Sequence, residues 1–220
     1  VDNDPSVCVA TGVVLGTPVT ADNCSVAAVT NDAPSVFPLG TTTVTWTVED
    51  GSGNTTTCTQ IVTVEDNEAP TIQCPLDVTA DIVPGSCGRV IMYPTPNVID
   101  NCSILSMVQT DGTGYTSGSV FPIGTTVQEY TVTDGAGNVF TCSFTITIND
   151  NEFPQLTSCP SDITVNTGTT TCMTPVSWSL PVASDNCSGV VLTSNYPSGS
   201  LFPVGITNVV YTATDAGGNS

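Results

Sequence analysis

The stretch FPIGTTVQEYTVTDGAGNVFTCSFTITI, residues 121–148, decides the fold. Tyr130 and Val132 alternate with polar residues up to the turn Asp134-Gly135-Ala136-Gly137-Asn138. Beyond it Cys142, Phe144, Ile146 and Ile148 fall on one face. A period of two on both sides of a glycine-rich turn reads as two strands, each with one buried face. Ile91 and Tyr93 alternate in the same way upstream, as do Val176, Trp178, Val209, Tyr211 and Ala213 downstream. Thr and Val, the residues that fit a pleated surface, dominate throughout, and no segment has a helical period. The expectation is an all-β chain of sheets packed face to face, with little or no helix.

The signals of this stretch recur. Asp22-Asn23-Cys24, Asp100-Asn101-Cys102 and Asp185-Asn186-Cys187 lie 78 and then 85 residues apart. Each is followed by a second marker: Phe37-Pro38-Leu39-Gly40, then the Phe121 stretch, then Phe202-Pro203-Val204-Gly205. A third closes each set: Asp50-Gly51-Ser52-Gly53-Asn54, the Asp134 turn, and Asp215-Ala216-Gly217-Gly218-Asn219. Three markers in fixed order define a repeat of roughly 80 residues. The expected divisions are a partial repeat over 1–66, a complete one over 67–150 and a partial one over 151–220, a window on a longer array. A unit of about 80 residues buries little more than about 60% of its unfolded surface, so crosslinks or metals are expected to supplement its core.

Composition excludes whole mechanisms. The 220 residues hold 20 acidic side chains against one cation, Arg89, with no His, for a formal charge of -19. Without His there is no imidazole base, nucleophile pair or His-ligated zinc, and without Lys no P-loop lysine or Schiff base. So acidic a surface repels phosphate backbones and anionic headgroups, so neither nucleic-acid binding nor direct membrane insertion is expected. With 39% hydrophobic residues the chain nevertheless has the material for a core. Nearly every Asp recurs at a turn or boundary of the repeat, which is the behaviour of a scaffold and not of an enzyme.

Ten cysteines without His and without a C-x-x-C pair read as disulfides in an extracellular or cell-surface setting. Sequence alone permits many pairings. In an Ig-like topology the strand beginning at Cys74 and the one beginning at Cys142 run the same way, which makes that pair feasible. Cys58 with Cys74 would need a strand of about 26 Å to fold back until its Cα atoms lay within about 7 Å, and is rejected. That leaves Cys87 with Cys102, where Pro94 and Pro96 help the chain turn back, and by repetition Cys8 with Cys24 and Cys172 with Cys187. Cys58 and Cys159 are expected to find partners outside the window.

These residues together resemble the hyalin repeat (HYR) family: Pro70 with Cys74-Pro75, Asp100-Asn101-Cys102, Phe121-Pro122-Ile123-Gly124-Thr125-Thr126, Tyr130 with the Asp134 turn, and Cys142-Ser143-Phe144. The resemblance covers essentially the whole chain. It implies tandem Ig-like β-sandwich modules of extracellular proteins linked to adhesion, in bacteria like the stalks of very large surface proteins. It also implies pairing of the opening and closing cysteines of a repeat.

The boundaries read Glu65-Asp66-Asn67-Glu68-Ala69-Pro70 and Asn149-Asp150-Asn151-Glu152-Phe153-Pro154. Clustered carboxylates beside Asn are the hard oxygen ligands that calcium prefers. If a last strand ends at Asp66, that boundary abuts the loops carrying Asp100 and Asp134. The expected calcium site is therefore Asp66, Asn67, Glu68, Asp100 and Asp134, with help from Asn138 and main-chain carbonyls. Its repeat is Asp150, Asn151, Glu152, Asp185 and Asp215. Each Asp alone also suits an ordinary turn.

The resulting expectation is a non-enzymatic stalk or filament segment of a large secreted or surface-anchored adhesin-like protein, stiffened by disulfides and inter-repeat calcium. Its partners would be neighbouring repeats and, in a filament, further copies of itself. The alternatives are a glycan- or protein-binding module, which exposed aromatics would favour, and accessory repeats of an extracellular enzyme.

Overall fold

A computed structural model describes residues 1–169 and 171–220. It contains strands and no helix among these residues. In chain order, the strands of the first repeat are β1 (Val9–Thr11), β2 (Val26–Asn31), β3 (Val36–Pro38), β4 (Gly40–Asp50) and β5 (Thr55–Val64). The middle repeat contributes β6 (Thr71–Gln73), β7 (Val78–Asp81), β8 (Gly88–Val90), β9 (Asn97–Ile99), β10 (Ile104–Gln109), β11 (Val120–Pro122), β12 (Gly124–Asp134) and β13 (Val139–Asn149). The last repeat adds β14 (Gln155–Thr157), β15 (Met173–Pro175), β16 (Val182–Ser184), β17 (Val191–Ser194), β18 (Leu201–Pro203) and β19 (Tyr211–Thr214).

The chain forms two compact units that do not coincide with the sequence repeats. One comprises residues Val1–Pro75, Thr95–Gly112 and Glu129–Ser143, the other Leu76–Pro94, Thr113–Gln128 and Phe144–Ser220.

In the first unit, β2, β4 and β5 form one antiparallel sheet and β1 pairs with β3. Alternation then does what the pattern requires: Val44 and Trp46 from β4 and Val62 and Val64 from β5 point inward to meet Ala10 and Phe37. Two sheets thus bury one face each, a sandwich. β10 pairs with β12 as β2 does with β4, and both pairings carry a register shift near their start, at Ile104/Ser106 and Val26/Ala28. The shift places Ile104 opposite Asp134 and Val26 opposite Asp50. It sets each Asp-Asn-Cys loop beside the Asp turn of its own repeat.

In the second unit, β7 runs parallel to β13, with Val78 opposite Ile146 and Asp81 opposite Asn149. Phe121, Phe144, Ile146 and Ile148 are buried, with Tyr93 against Phe144 edge to face at 5.0 Å and its hydroxyl donating to buried Gln128 at 2.9 Å. The last repeat pairs β14 with β16, β15 with β18 and β17 with β19. Its Trp178 packs on Phe202 at 5.9 Å and donates its indole N–H to Tyr211.

Candidate metal centres at the repeat boundaries

Within the first unit the structure brings Asp66, Asp100 and Asp134 together, with one carboxylate oxygen of each inside 4.8 Å of the others. Local hydrogen bonds fix each of them. Asp134 ends β12, and its Oδ1 accepts the main-chain N–H of Ala136, Gly137 and Asn138 at 2.9, 2.7 and 2.8 Å. Its Oδ2 accepts the Asn138 amide at 2.8 Å. Burial pushes the Asp134 carboxyl up, yet these four bonds outweigh it and hold the group below the ordinary carboxylate range, so it is an anion at neutral pH. Asp100 Oδ2 accepts the N–H of Cys102 and Ser103 at 2.9 and 2.7 Å. Asp66 Oδ1 accepts the N–H of Glu68 at 3.2 Å and the Asn101 amide at 3.4 Å. The turn is specific for glycine: Gly137 has φ +98°, and a Cβ at Gly135 would collide with Ser103 Oγ.

Three oxygens are left over. Asp66 Oδ2, Asp100 Oδ1 and Asn101 Oδ1 are buried without a hydrogen-bond partner, and Asp66 as a whole is only 5% exposed. Burying an unpaired carboxylate oxygen costs several kcal/mol, of order 2–7 for even a neutral polar group. No Lys exists to offset it. Convergent carboxylate oxygens are the donor set of a hard divalent cation. These residues fit such an ion.

The second boundary repeats the arrangement with differences. Oxygens of Asp150 and Asp185 approach within 4.8 Å together with Cys187 Sγ, a disulfide sulfur and therefore no thiolate ligand. Asp150 Oδ1 accepts the N–H of Glu152 at 3.1 Å and Asp185 Oδ2 that of Cys187 at 2.9 Å. Asp150 Oδ2 and Asn186 Oδ1 are buried and unpartnered. Asp215 stays outside this cluster. It is 7% exposed and bonded to Asn219, whose amide also donates to the Asp150 carbonyl at 3.2 Å.

The remaining expected ligands go elsewhere. Glu68 Oε2 accepts the Ser6 N–H, and Glu152 Oε2 the Gly85 N–H, both at 2.8 Å. Each glutamate thereby anchors a cysteine-bearing loop of the preceding repeat. Asn67 is exposed and donates to Asp2 at 2.6 Å, and Asn151 is exposed. Asn101 and Asn186, not expected as ligands, follow the clustered Asp100 and Asp185 directly in sequence and each carry a buried Oδ1 without a partner. Their recurrence inside all three Asp-Asn-Cys triplets was the available signal.

Three expected disulfides are corrected. Cys74 is joined to Cys142 with Cα atoms 5.8 Å apart. Cys102, however, is joined to Cys8 at 4.8 Å and Cys187 to Cys87 at 5.2 Å, in place of Cys87–Cys102, Cys8–Cys24 and Cys172–Cys187. Cys24, Cys172, Cys58 and Cys159 are free and exposed. The reason is local. The prolines do not return the chain to Cys87, because β8 pairs with β11 while β9 pairs with β6. Glu68 and Glu152 instead hold the Cys8 and Cys87 loops against the boundary, where the next Asp-Asn-Cys loop arrives. Each such bond therefore links one repeat to the next.

A sequence profile described as HYR domain matches residues 9–64, 65–148 and 149–220. Hyalin of Lytechinus variegatus is 34% identical over 211 residues, 92% of this chain and 39% of that protein. Hyalin of Strongylocentrotus purpuratus is 34% identical over 83% of this chain and 16% of its own length. The mouse (Mus musculus) sushi, von Willebrand factor type A, EGF and pentraxin domain-containing protein 1 is 34% identical over 77% of the chain and 5% of its own length. The chain thus spans well under half of each of these relatives.

Proposed function

The chain belongs to the HYR domain family, and from that premise we propose that it is a non-enzymatic stalk or filament segment of a large extracellular or surface-anchored adhesin-like protein, its repeat boundaries fixed by disulfides and calcium. The observation that carries this reading is the pair of disulfides, Cys8–Cys102 and Cys87–Cys187, that tie one repeat to the next. A covalent bond across a boundary serves a chain that must transmit force or hold its extension, and nearest-neighbour contacts dominate such arrays. The burial of Trp46, Tyr93 and Phe121 supports a scaffold over a glycan-stacking surface.

The candidate ligands for calcium are Asp66, Asp100, Asn101 and Asp134 at one boundary and Asp150, Asp185 and Asn186 at the other. When bound, a divalent cation supplies the countercharge that an acidic cluster without lysines lacks. The chain's own residues do the rest: Asn138 and Asn219 orient the turn aspartates, and Glu68 and Glu152 present the cysteine loops.

Small-angle scattering with calcium and then with chelator tests this reading. A particle that lengthens and stiffens with calcium in the wild type, and loses that response in Asp66→Asn, is expected. Identical profiles in both buffers, with no heat of calcium binding by calorimetry, would overturn it.

A further inference from the structure

We propose that the Cys8–Cys102 disulfide and the centre formed by Asp66, Asp100 and Asp134 are coupled: closing the bond tightens the centre for calcium, and bound calcium protects the bond from thiol reductants. The inference rests on the calcium reading above and deepens it with a means of regulation.

The two features share one short stretch of chain. Asp100 puts its carboxylate in the cluster, Asn101 carries a buried, unpartnered Oδ1, and Cys102 closes the bond, so two candidate ligands and the crosslink are consecutive residues. Cys102 holds its ligand directly, its main-chain N–H donating to Asp100 Oδ2 at 2.9 Å. The Asn101 amide lies between Asp66 Oδ1 at 3.4 Å and Cys102 Sγ at 3.5 Å. Cys8 is tied to the same place. Ser6, just before it, donates its N–H to Glu68 Oε2 at 2.8 Å, and Glu68 donates its own N–H to Asp66 Oδ1 at 3.2 Å. Asn138 completes the frame, its amide donating to the main-chain oxygens of Asp66 and Glu68 at 3.0 and 3.3 Å and to Asp134 Oδ2 at 2.8 Å. All of these residues belong to the first compact unit.

The charge of the centre explains why it needs a clamp. Asp66 and Asp134 are 5% and 0% exposed, and Asp66 Oδ2 and Asp100 Oδ1 are buried without a donor. Carboxylates sharing such a site repel one another. With the bond reduced, the loop at Asp100 loses its covalent anchor and relieves that repulsion by moving its carboxylate toward water. With the bond closed the loop stays, and a cation relieves the repulsion instead. A bond and an ion that favour the same loop position strengthen each other by one common factor, whichever comes first. Reduction takes two electrons and two protons from two glutathione thiols, which leave as oxidised glutathione.

The test follows the amide NMR signals of Ser103 and Ala136, whose N–H groups rest on Asp100 and Asp134, through a calcium titration of the oxidised 220-residue chain. In Cys8→Ser/Cys102→Ser the dissociation constant should rise by about 5- to 150-fold. Cys74→Ser/Cys142→Ser, which removes a bond of the same unit whose cysteines border no candidate ligand, should leave it unchanged. A reciprocal measurement needs no variant. Wild type equilibrated in glutathione buffers with calcium or with chelator, then alkylated and mapped with pepsin, should show the Cys8–Cys102 equilibrium shifted toward the disulfide by calcium, and the Cys74–Cys142 equilibrium unmoved. Equal affinities with and without the Cys8–Cys102 bond, equal losses in both double variants, or a Cys8–Cys102 equilibrium indifferent to calcium would overturn the coupling and leave the calcium site standing. A wild type whose Ser103 and Ala136 signals ignore calcium would overturn the calcium reading itself, and the coupling with it.

Discussion

The side-chain amide of Asn138 donates to Asp134 Oδ2 at 2.8 Å and to the main-chain oxygen of Asp66 at 3.0 Å, so one residue of a turn holds both its own aspartate and the end of the preceding repeat. Asn138→Ala leaves a buried carboxylate oxygen and a carbonyl short of a donor. The expected cost is about 1–3 kcal/mol of stability. Denaturant unfolding checks it, and a loss below about 0.5 kcal/mol would mean that the bridge is solvated.

Cys8→Ser removes a crosslink between residues 94 apart in sequence. Chain-entropy arithmetic for a loop of that size gives about 4–5 kcal/mol, provided the unfolded chain is otherwise unconstrained. The loss should appear in equilibrium unfolding of the oxidised protein and vanish when wild type and variant are compared in strong reductant. Cys24→Ser, which touches a free thiol, should leave intrachain stability unchanged, making it the matched control.

Gly135→Ala introduces a methyl group where Ser103 Oγ already lies, while the Ser103 Cβ is 3.8 Å away and leaves room. The conflict is therefore with one hydroxyl. Gly135→Ala alone is expected to cost about 1–3 kcal/mol, the range for overpacking. Adding Ser103→Ala should restore most of it. Thermal melts of the two single variants and the double variant form the cycle, and simple additivity would count against the contact.

The sandwich was legible because β4, β5, β12 and β13 are each ten or eleven residues long and alternate between buried and more exposed positions over part of that length, and burial alone dictates which face turns inward. The grouping of Asp66 with Asp100 and Asp134 was legible for a related reason: topology delivers a strand end to the next repeat's loops. The disulfides were not. Pairing Cys87 with Cys102 assumed that closeness in sequence and a pair of prolines decide, whereas the deciding contacts are single hydrogen bonds, Glu68 to Ser6 and Glu152 to Gly85, between residues more than 60 apart. A carboxylate that looks like a metal ligand by composition can equally cap a distant loop. Spacing does not distinguish the two uses.

Asp50 separates the work of the turn from that of a cation. Its cradle matches that of Asp134, but no boundary carboxylate lies on it, and hydrogen bonds led by the Asn54 side chain hold its carboxyl below the ordinary value of 3.8. A carboxyl depressed in the folded state stabilises the fold above its unfolded value, and that contribution is lost as pH falls through the folded value. Carboxyl NMR titration of Asp50 should therefore give a midpoint below 3.8 with or without chelator. Asn54→Ala should raise that midpoint toward the ordinary value. A midpoint that moved with calcium would show that the turn alone, without a boundary carboxylate on it, already binds the ion, and would shift the candidate centre from the boundary to the turn.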